Sequence, residues 1–360
     1  MSAARFTSQL LAWNDRLSRN LPWRGDRDPY RIWISEVMLQ QTRVETVKPY
    51  YSRWLQRFPS ISHVARAAED EILKAWEGLG YYRRARLFHQ ACKQIIRDHH
   101  GAVPDNPEAF RQLPGVGPYT YAAVRSICFH DPLPAVDGNL KRIMARILAL
   151  SANGSALHRT VERTLATVIP VHRPGDFNQA MMDLGATVCT PRDPRCGECP
   201  ISDSCQAHFS GQVDLYPRPT KRKPRPHVPV AVGIIWRDSQ LLIRRRPPEG
   251  LLGGLWEFPG GKVEPGESPE QTVVREVQEE LGLKVQIMDR IGTVRHAYSH
   301  FSITLHAFHC KYTDRGAIPQ NGSDYRWISW DEISHFPFPK ANHKLFPLIE
   351  GNAPPRDQQL

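Results

Sequence analysis

The chain has 360 residues, more than one typical domain accommodates, and an apolar share of 41% that suffices for packed cores and excludes wholesale disorder. No stretch approaches the roughly 20 apolar residues that span a bilayer, so no membrane partner is expected. The net charge of +10 points toward a polyanionic partner without naming one.

The first residues, MSAARFTSQLLAWNDRL, interleave charged and apolar positions and predict an amphipathic helix rather than a signal peptide, as a cytoplasmic protein would have. To about residue 210 the pattern stays helical. Apolar residues recur at spacings of three and four from Tyr30 to Val47, Glu69 to Trp76 and Asn139 to Leu150. Next comes YPRPTKRKPRPHVP, in which Arg218, Lys221, Arg222, Lys223 and Arg225 are interspersed with prolines and no acid intervenes. It predicts an extended, exposed linker suited to a nucleic-acid backbone, with a solvated charge run as the alternative. Beyond it, VPVAVGIIW and QLLIRRR predict a β-hairpin, IGTVRHAYSHFSITLHAFHC predicts further strands, and Pro269 to Leu281 predicts one helix. The expected organisation is multidomain: an all-α unit over 1–212, a basic linker over 213–229 and an α+β unit over 230–360, without internal repeats.

Seven cysteines in a reducing compartment argue against disulfides. Cys92, Cys128 and Cys310 are scattered and suit core positions. Cys189, Cys196, Cys199 and Cys205 fall within 17 residues and can wrap one metal centre. Structural zinc is the competing occupant, although zinc ribbons use two C-x-x-C knuckles and only one exists here. Upstream, Leu113-Pro-Gly-Val-Gly117 precedes a helix that opens at Pro118. Gly115 and Gly117 permit a sharp turn, and the amides around Gly115, Val116 and Gly117 suit a phosphate. A plain interhelical turn is the simpler account. Asp137, in Val136-Asp137-Gly138-Asn139, precedes the helix LKRIMARILAL and fits either a cap or a site carboxylate. Glu36 lies beside an apolar helical stripe with Trp33, Val37 and Gln40. Burial there would raise its pKa and keep it a proton donor, unless it is a salt-bridged core residue.

SEVMLQQT, GLGYYRRAR, LPGVGPYT, VDGNLKR, FNQAMMDLGA and the cysteine quartet, in this order, resemble the helix–hairpin–helix DNA glycosylases, most closely the adenine DNA glycosylase branch, over nearly the whole chain. The resemblance implies one 4Fe-4S cluster on the four cysteines, and duplex DNA bearing adenine opposite 8-oxoguanine or guanine as partner of a monomeric, nucleoid-associated enzyme. It implies that Glu36 protonates adenine and activates water, that Asp137 stabilises the sugar cation, and that Tyr119 and Asn139 support them. It also implies that Gln41 and Tyr81 wedge into the duplex and that Arg24 and Gln179 contact the flipped base. Core packing is the plain alternative for Tyr81 and Tyr82. Endonuclease III-type relatives carry a nucleophilic lysine where Tyr119 stands, so a monofunctional enzyme is expected. Thymine glycosylases acting on T·G mismatches share that tyrosine but generally lack the second unit. A non-catalytic DNA-binding scaffold would explain the charge but not the carboxylates.

In the second unit, Gly261-x5-Glu267-x7-Arg275-Glu276-Val277-x-Glu279-Glu280-x-Gly282-Leu283 resembles a complete Nudix box. Glu276, Glu279 and Glu280 are candidate magnesium ligands. The resemblance implies a Nudix-like unit that reads 8-oxoguanine through Ser299 and His300, in a Tyr298-Ser299-His300 loop where the family has Phe first. Strand packing is the plain alternative for those two residues. Nucleotide hydrolysis by the intact box, with or without the glycosylase, is the competing function.

Overall fold

The computed structural model describes residues 2–218, 224–313 and 324–351, so Lys221, Arg222 and Lys223 of the basic linker lie outside the described residues. Contacts divide the chain into two compact units: Met1–Arg66 with Leu87–Arg222, and Ala67–Arg86 with Lys223–Leu360. The second unit thus includes a segment from the helical half of the sequence. Arg218 and Arg225, at the edges of the linker, are exposed as expected.

The helices of the first half are α1 (Ala3–Leu17), α2 (Pro29–Leu39), α3 (Val44–Arg57), α4 (Ile61–Arg66), α5 (Glu69–Trp76), α6 (Arg83–Asp98), α7 (Pro107–Arg111), α8 (Pro118–Cys128), α9 (Gly138–Ile147), α10 (Gly154–Ala166), α11 (Pro174–Thr187) and α12 (Gln206–Phe209). α5 belongs to the second unit, and α6 crosses the boundary at Leu87. Local chemistry sets several starts. Asp28 accepts from the Tyr30 amide at 2.9 Å and Pro29 fills the first helical position of α2. Asn106 and Pro107 do the same for α7. The continuous period from Tyr30 to Val47 is interrupted. Gln41 takes a left-handed φ of 56°, which no helix interior sustains, so α2 ends at Leu39 and α3 begins at Val44.

Apolar stripes of α1, α9, α10 and α11 meet in one core around Phe6, Leu10, Leu140, Met144, Leu165 and Phe177. Trp33 of α2 stands edge-on to Phe88 at 4.8 Å and to Phe110 at 5.4 Å, closing a second aromatic centre. Cys92 is fully buried, matching its expected packing role, while Cys128 is half-buried. Among the described residues no helix is long and apolar enough to cross a membrane.

In the second unit the strands are β1 (His227–Arg237), β2 (Gln240–Arg245), β3 (Trp256–Glu257), β4 (Gly260–Lys262), β5 (Val285–Ala297), β6 (Ser302–Tyr312) and β7 (Tyr325–Ser329). Three helices accompany them: α13 (Pro269–Leu281), α14 (Lys340–His343) and α15 (Phe346–Gly351). The described strands form one mixed sheet ordered β3-β2-β1-β6-β5, with β4 also on β1 and β7 also on β2. β1 and β2 form the expected antiparallel hairpin, and β1 runs parallel to β6 from His227 opposite Ser302 onward. Alternation along β1 and β2 sends Ile234, Trp236, Leu241 and Ile243 to a core with Phe338 and Leu345, and Ile235 and Leu242 to another with Val273 and Val277 of α13. α13 occupies the predicted residues: Ser268 and Gln271 close a capping box at its start, and Gly282 ends it at φ 68°. The fold is therefore an all-α unit and an α+β unit, as the sequence predicts.

One close approach locks α11 to α8. A Cβ placed on Gly175 would lie 2.7 Å from the Ile127 Cα, a backbone atom that cannot step aside. Gly175→Ala is expected to cost about 1–3 kcal/mol through overpacking, measured as a lowered urea midpoint with unchanged slope.

Candidate active site

Three helix termini converge in the first unit. Glu36 lies on the last turns of α2, Tyr119 at the start of α8, and Asp137 immediately before α9. Glu36 is 4% exposed. The Tyr119 hydroxyl donates to its Oε2 at 2.6 Å and also lies 3.8 Å from the Met182 sulfur. Burial raises the Glu36 pKa above the ordinary carboxylate value. Tyr119 and Arg24 oppose that rise, and Asp137 adds to it. The same burial, with Glu36 beside it, holds the Tyr119 phenol neutral well above its usual range. Glu36 is not the salt-bridged core residue that its setting allowed, because no cation pairs with it directly among the described residues.

Asp137 is the N-cap of α9, so the cap reading and the site reading describe one geometry. Its Oδ1 accepts from the Leu140 amide at 2.8 Å and its Oδ2 from the Asn139 amide group at 2.9 Å. Burial raises its pKa, while those two donors favour the charged form. Asn139 is itself held from behind: Arg142 donates to its Oδ1 at 2.8 Å, to the Gly185 carbonyl at 2.8 Å and to the Cys189 carbonyl at 2.9 Å. α11 packs so closely here that a Cβ on Gly185 would fall 2.6 Å from the Asn139 Cβ. Asp183, fully buried on α11, pairs with Arg24 at 2.8 Å and Arg19 at 2.6 Å. That fixes the Arg24 guanidinium, whose Nε is buried without a hydrogen-bond partner. Gln179 accepts from Arg24 through its carbonyl at 3.4 Å and lines a polar cleft with Arg27, His130 and His172.

Sequence reasoning did not find Asp183, Arg19, Arg142, Gly185 or Thr120. Most of their partners lie far away along the chain, and although Thr120, Arg142, Asp183 and Gly185 stand inside LPGVGPYT, VDGNLKR and FNQAMMDLGA, those motifs do not show what each side chain meets. Gln41 is exposed on the strained loop after α2. Beside it, Gln40 donates to Thr120 Oγ1 at 3.0 Å, next to Tyr119. In the hairpin, Gly115 adopts φ 79° and a Cβ there would press within 2.9 Å of Leu87. Gly117 departs from expectation: its φ of −84° suits any residue and a Cβ would meet nothing. Its N-cap position has no side-chain cap, which leaves the first amides of α8 open to a ligand.

The four quartet cysteines line one cavity together with Arg146, Val188 and His208. Burial pushes the Cys199 thiol up to about 12, and it raises Cys196 and Cys205, with neighbouring thiols adding to each rise. Arg146 contacts the Cys189 sulfur at 3.3 Å and the Thr190 carbonyl at 2.7 Å. Among the described residues no three His, Cys, Asp or Glu groups converge on a single ion. A polynuclear cluster, in which each thiolate meets a different metal atom, fits this donor set better than one zinc ion.

In the second unit, Tyr81 is half-exposed with a left-handed φ of 50°, while Tyr82 is buried and its hydroxyl accepts from the Gly78 amide at 3.2 Å. The core-packing alternative therefore holds for Tyr82 and not for Tyr81. Ser299 and His300 are exposed at the β5–β6 turn, which closes through Tyr298 stacked on Phe301 at 4.7 Å. Packing does not account for either residue. The Nudix carboxylates are not assembled as the expected magnesium site. Arg275 pairs with Glu267 at 2.8 Å and with Glu276 and Glu279 at 3.1 Å, while Arg244 pairs with Glu280. Each of these carboxylates has an arginine partner.

Residues 34–170 match the model of the HhH-GPD superfamily base excision DNA repair protein, 189–205 the iron–sulfur binding domain of endonuclease III, and 231–348 the NUDIX domain. The loop after α11 is thus an iron–sulfur cluster loop. Endonuclease III trapped covalently on DNA shares the fold of the helical half, with a TM-score of 0.51 at 23% identity over 59% of this chain and 99% of that one. A thermostable thymine-DNA glycosylase superposes with a TM-score of 0.54 at 32% identity, covering 58% of this chain and 97% of that one. The adenine DNA glycosylase of Rattus norvegicus is 33% identical over 402 residues, 96% of this chain and 78% of the relative. That of Homo sapiens is 32% identical over 407 residues, 97% and 74%. Since these relatives match through the second unit as well as the first, the chain belongs to the adenine DNA glycosylase family of base-excision repair.

Proposed function

We propose that the enzyme is a monofunctional glycosylase that hydrolyses adenine from duplex DNA where the base opposite is 8-oxoguanine or guanine. The observation that carries this reading is the buried Glu36, whose pKa burial raises and whose carboxyl oxygen accepts from Tyr119, in the same site as the hydrogen-bonded Asp137. Breaking an N-glycosidic bond leaves a base that needs a proton and a sugar that becomes cationic. Glu36 supplies the proton, since burial keeps its carboxyl group neutral at a higher pH than an exposed one. Asp137, with Asn139 and the Leu140 amide holding its two oxygens, faces the developing positive charge. Arg24, fixed by Asp183, offers its unpartnered Nε to the extruded base, and Gln179 lies beside it. With Tyr119 at the position of the lyase lysine, no amine is available to attack the sugar, and water completes the reaction.

Gln41 and Tyr81, both non-glycine residues in left-handed backbone, are the wedges that take the place of the extruded base. The hairpin of Gly115, Val116 and Gly117 meets the phosphodiester without reading sequence, with the Val116 and Gly117 amides themselves closing the turn onto the Leu113 and Gly115 carbonyls. Cys189, Cys196, Cys199 and Cys205 hold a 4Fe-4S cluster, which when bound ties the loop at four points. The enzyme works as a monomer on the DNA of the cytoplasm. Ser299 and His300 read the base opposite adenine. A thymine-directed reading has the solved thymine-DNA glycosylase in its favour, but that neighbour spans only 58% of this chain.

Duplexes carrying A·8-oxoguanine, A·G or T·G, treated with enzyme and then alkali, are expected to break at adenine only. Glu36→Gln is expected to lower the single-turnover rate by about 10²–10⁴-fold. Its unfolding temperature at pH 8 should not fall, because a buried carboxyl with a raised pKa costs stability once it ionises. Cleavage confined to thymine would sink the proposal.

The pH profile supplies a sign. The rate should fall as pH rises through the raised Glu36 pKa, and the Tyr119 hydrogen bond is what restrains that rise. Tyr119→Phe should therefore move the descending limb to higher pH, in single-turnover rates measured across that limb. A shift to lower pH would contradict the assignment.

A second reading, nucleotide hydrolysis, has the complete Nudix box in its favour and the arginine pairing of its carboxylates against it. The full chain with magnesium and oxidised or normal nucleoside triphosphates is expected to release neither phosphate nor pyrophosphate. Release that disappears in Glu279→Gln would establish the hydrolase instead.

A further inference from the structure

The segment Ala67–Arg86 lies in sequence within the glycosylase half, yet its contacts assign it to the same unit as the Nudix-like sheet. Two polar clamps explain this. At the start of α5, Asp70 Oδ1 accepts from Arg245 at 2.7 Å and its Oδ2 from the Trp256 indole at 3.3 Å, while Glu69 pairs with Arg86 at 3.2 Å. Gly254 is pressed against the same turn, since a Cβ there would meet Glu69 Oε1 and Leu73 Cδ1 at 3.2 Å. At the far end, Glu77 Oε1 accepts from the Phe338 amide at 2.8 Å and contacts His343 Nε2 at 2.8 Å. Lys74 donates to the Phe336 carbonyl at 3.1 Å. FPFPKANH thus serves as a socket for α5.

The loop that follows is rigid in its own right. The Trp76 indole donates to the Gly80 carbonyl at 3.1 Å, and Arg84 donates to the same oxygen at 3.0 Å. The Arg84 guanidinium also lies 5.6 Å from the Tyr81 ring centroid. Tyr81 projects from this loop with its strained φ of 50°. A charged clamp at each end of α5 is more than a packed helix needs. Leu73 and Trp76 are already fully buried, and surface helices ordinarily dock through apolar contacts alone.

We propose that Asp70 and Glu77 are specificity-determining positioning residues. They fasten the Tyr81 loop to the unit that carries Ser299 and His300, so that the tyrosine enters the duplex in register with the reading of the base opposite adenine. This rests on the lesion-reading assignment made above. Neither carboxylate touches the reacting atoms. Their effect is on which duplex is processed, and not on the acid chemistry of Glu36 and Asp137.

The test uses the full-length protein with Asp70→Asn and Glu77→Gln combined, assayed by single-turnover adenine release from A·8-oxoguanine and A·G duplexes. The rate advantage of the 8-oxoguanine duplex should fall by about tenfold, with the A·G rate changed by less than about threefold. The charge-swapped pair Asp70→Arg with Arg245→Asp, in the otherwise wild-type chain, should keep most of that advantage. Equal losses on both duplexes, or no loss, would overturn the proposal. If the double variant does not fold, Glu77→Gln alone is read by the same two rates, since glutamine keeps an acceptor for the Phe338 amide. A wild-type enzyme without preference for 8-oxoguanine would remove the lesion-reading assignment and this proposal together. Preference retained in a folded double variant would remove this proposal alone.

Discussion

A carboxyl group enclosed by protein is the constraint on which the first unit depends. Glu36 has left water, and an ionised carboxylate in that position would be costly without a compensating cation. The fold answers with a neutral hydrogen-bond partner, the Tyr119 hydroxyl, and keeps the nearest guanidinium, Arg24, occupied by Asp183. A direct arginine pair would have stabilised the charged form and depressed the pKa, leaving a poor proton donor. Asp183 therefore does more than neutralise Arg24 and Arg19. It ties Arg24 in place, so that the guanidinium acts on Glu36 without pairing with it and only partly opposes the rise that burial causes.

Burial raises the pKa of Asp137 as well, but this carboxylate has more donors set against that rise. Its cap position gives it the Leu140 amide and the positive end of α9, and Asn139 gives it a second donor. Burial thus raises the pKa of both carboxyl groups in the site, and at Asp137 the two hydrogen-bond donors work against that rise. The support reaches further. Asn139 is held by Arg142, which also grips the Cys189 carbonyl, while Arg146 contacts the Cys189 sulfur from the next turn of α9. Hydrogen bonds run unbroken from Asp137 to the iron–sulfur loop, and Gly185 permits the helices to approach closely enough to make them.

Much of this was legible in the sequence wherever the determinant was local. The four cysteines, the period of Pro269–Leu281, the strand alternation after Val228 and the place of Glu36 beside an apolar stripe each reflect a pattern a few residues long. Asp137 was legible as a residue but ambiguous as a role; the structure places it as the N-cap of α9, a position from which its second oxygen is also held by Asn139. The break after Leu39 was not legible, since Gln41 carries no glycine-like signal for its left-handed backbone. Nor was the placement of α5: its pattern announces an amphipathic helix, but Asp70 meets Arg245 and Glu77 meets His343 across more than 170 residues. Side-chain pairs at such separations leave no periodic trace.

The Nudix box shows a complete motif whose carboxylates are taken up in ion pairs. Its glutamates would bind magnesium only if their charge were not already neutralised, because a divalent ion must shed water and repay that cost with carboxylate oxygens. Arg275 spans Glu267, Glu276 and Glu279, and Arg244, one strand away on β2, meets Glu280. An arginine cannot be deprotonated and leaves only by breaking several charge-assisted hydrogen bonds at once, so it is a stronger competitor than a bound water. α13 packs against the sheet here with the Glu276 carboxylate lying directly over Gly261 of β4. In these ion pairs the motif ties α13 to β2, while the turn between β5 and β6 leaves Ser299 and His300 exposed.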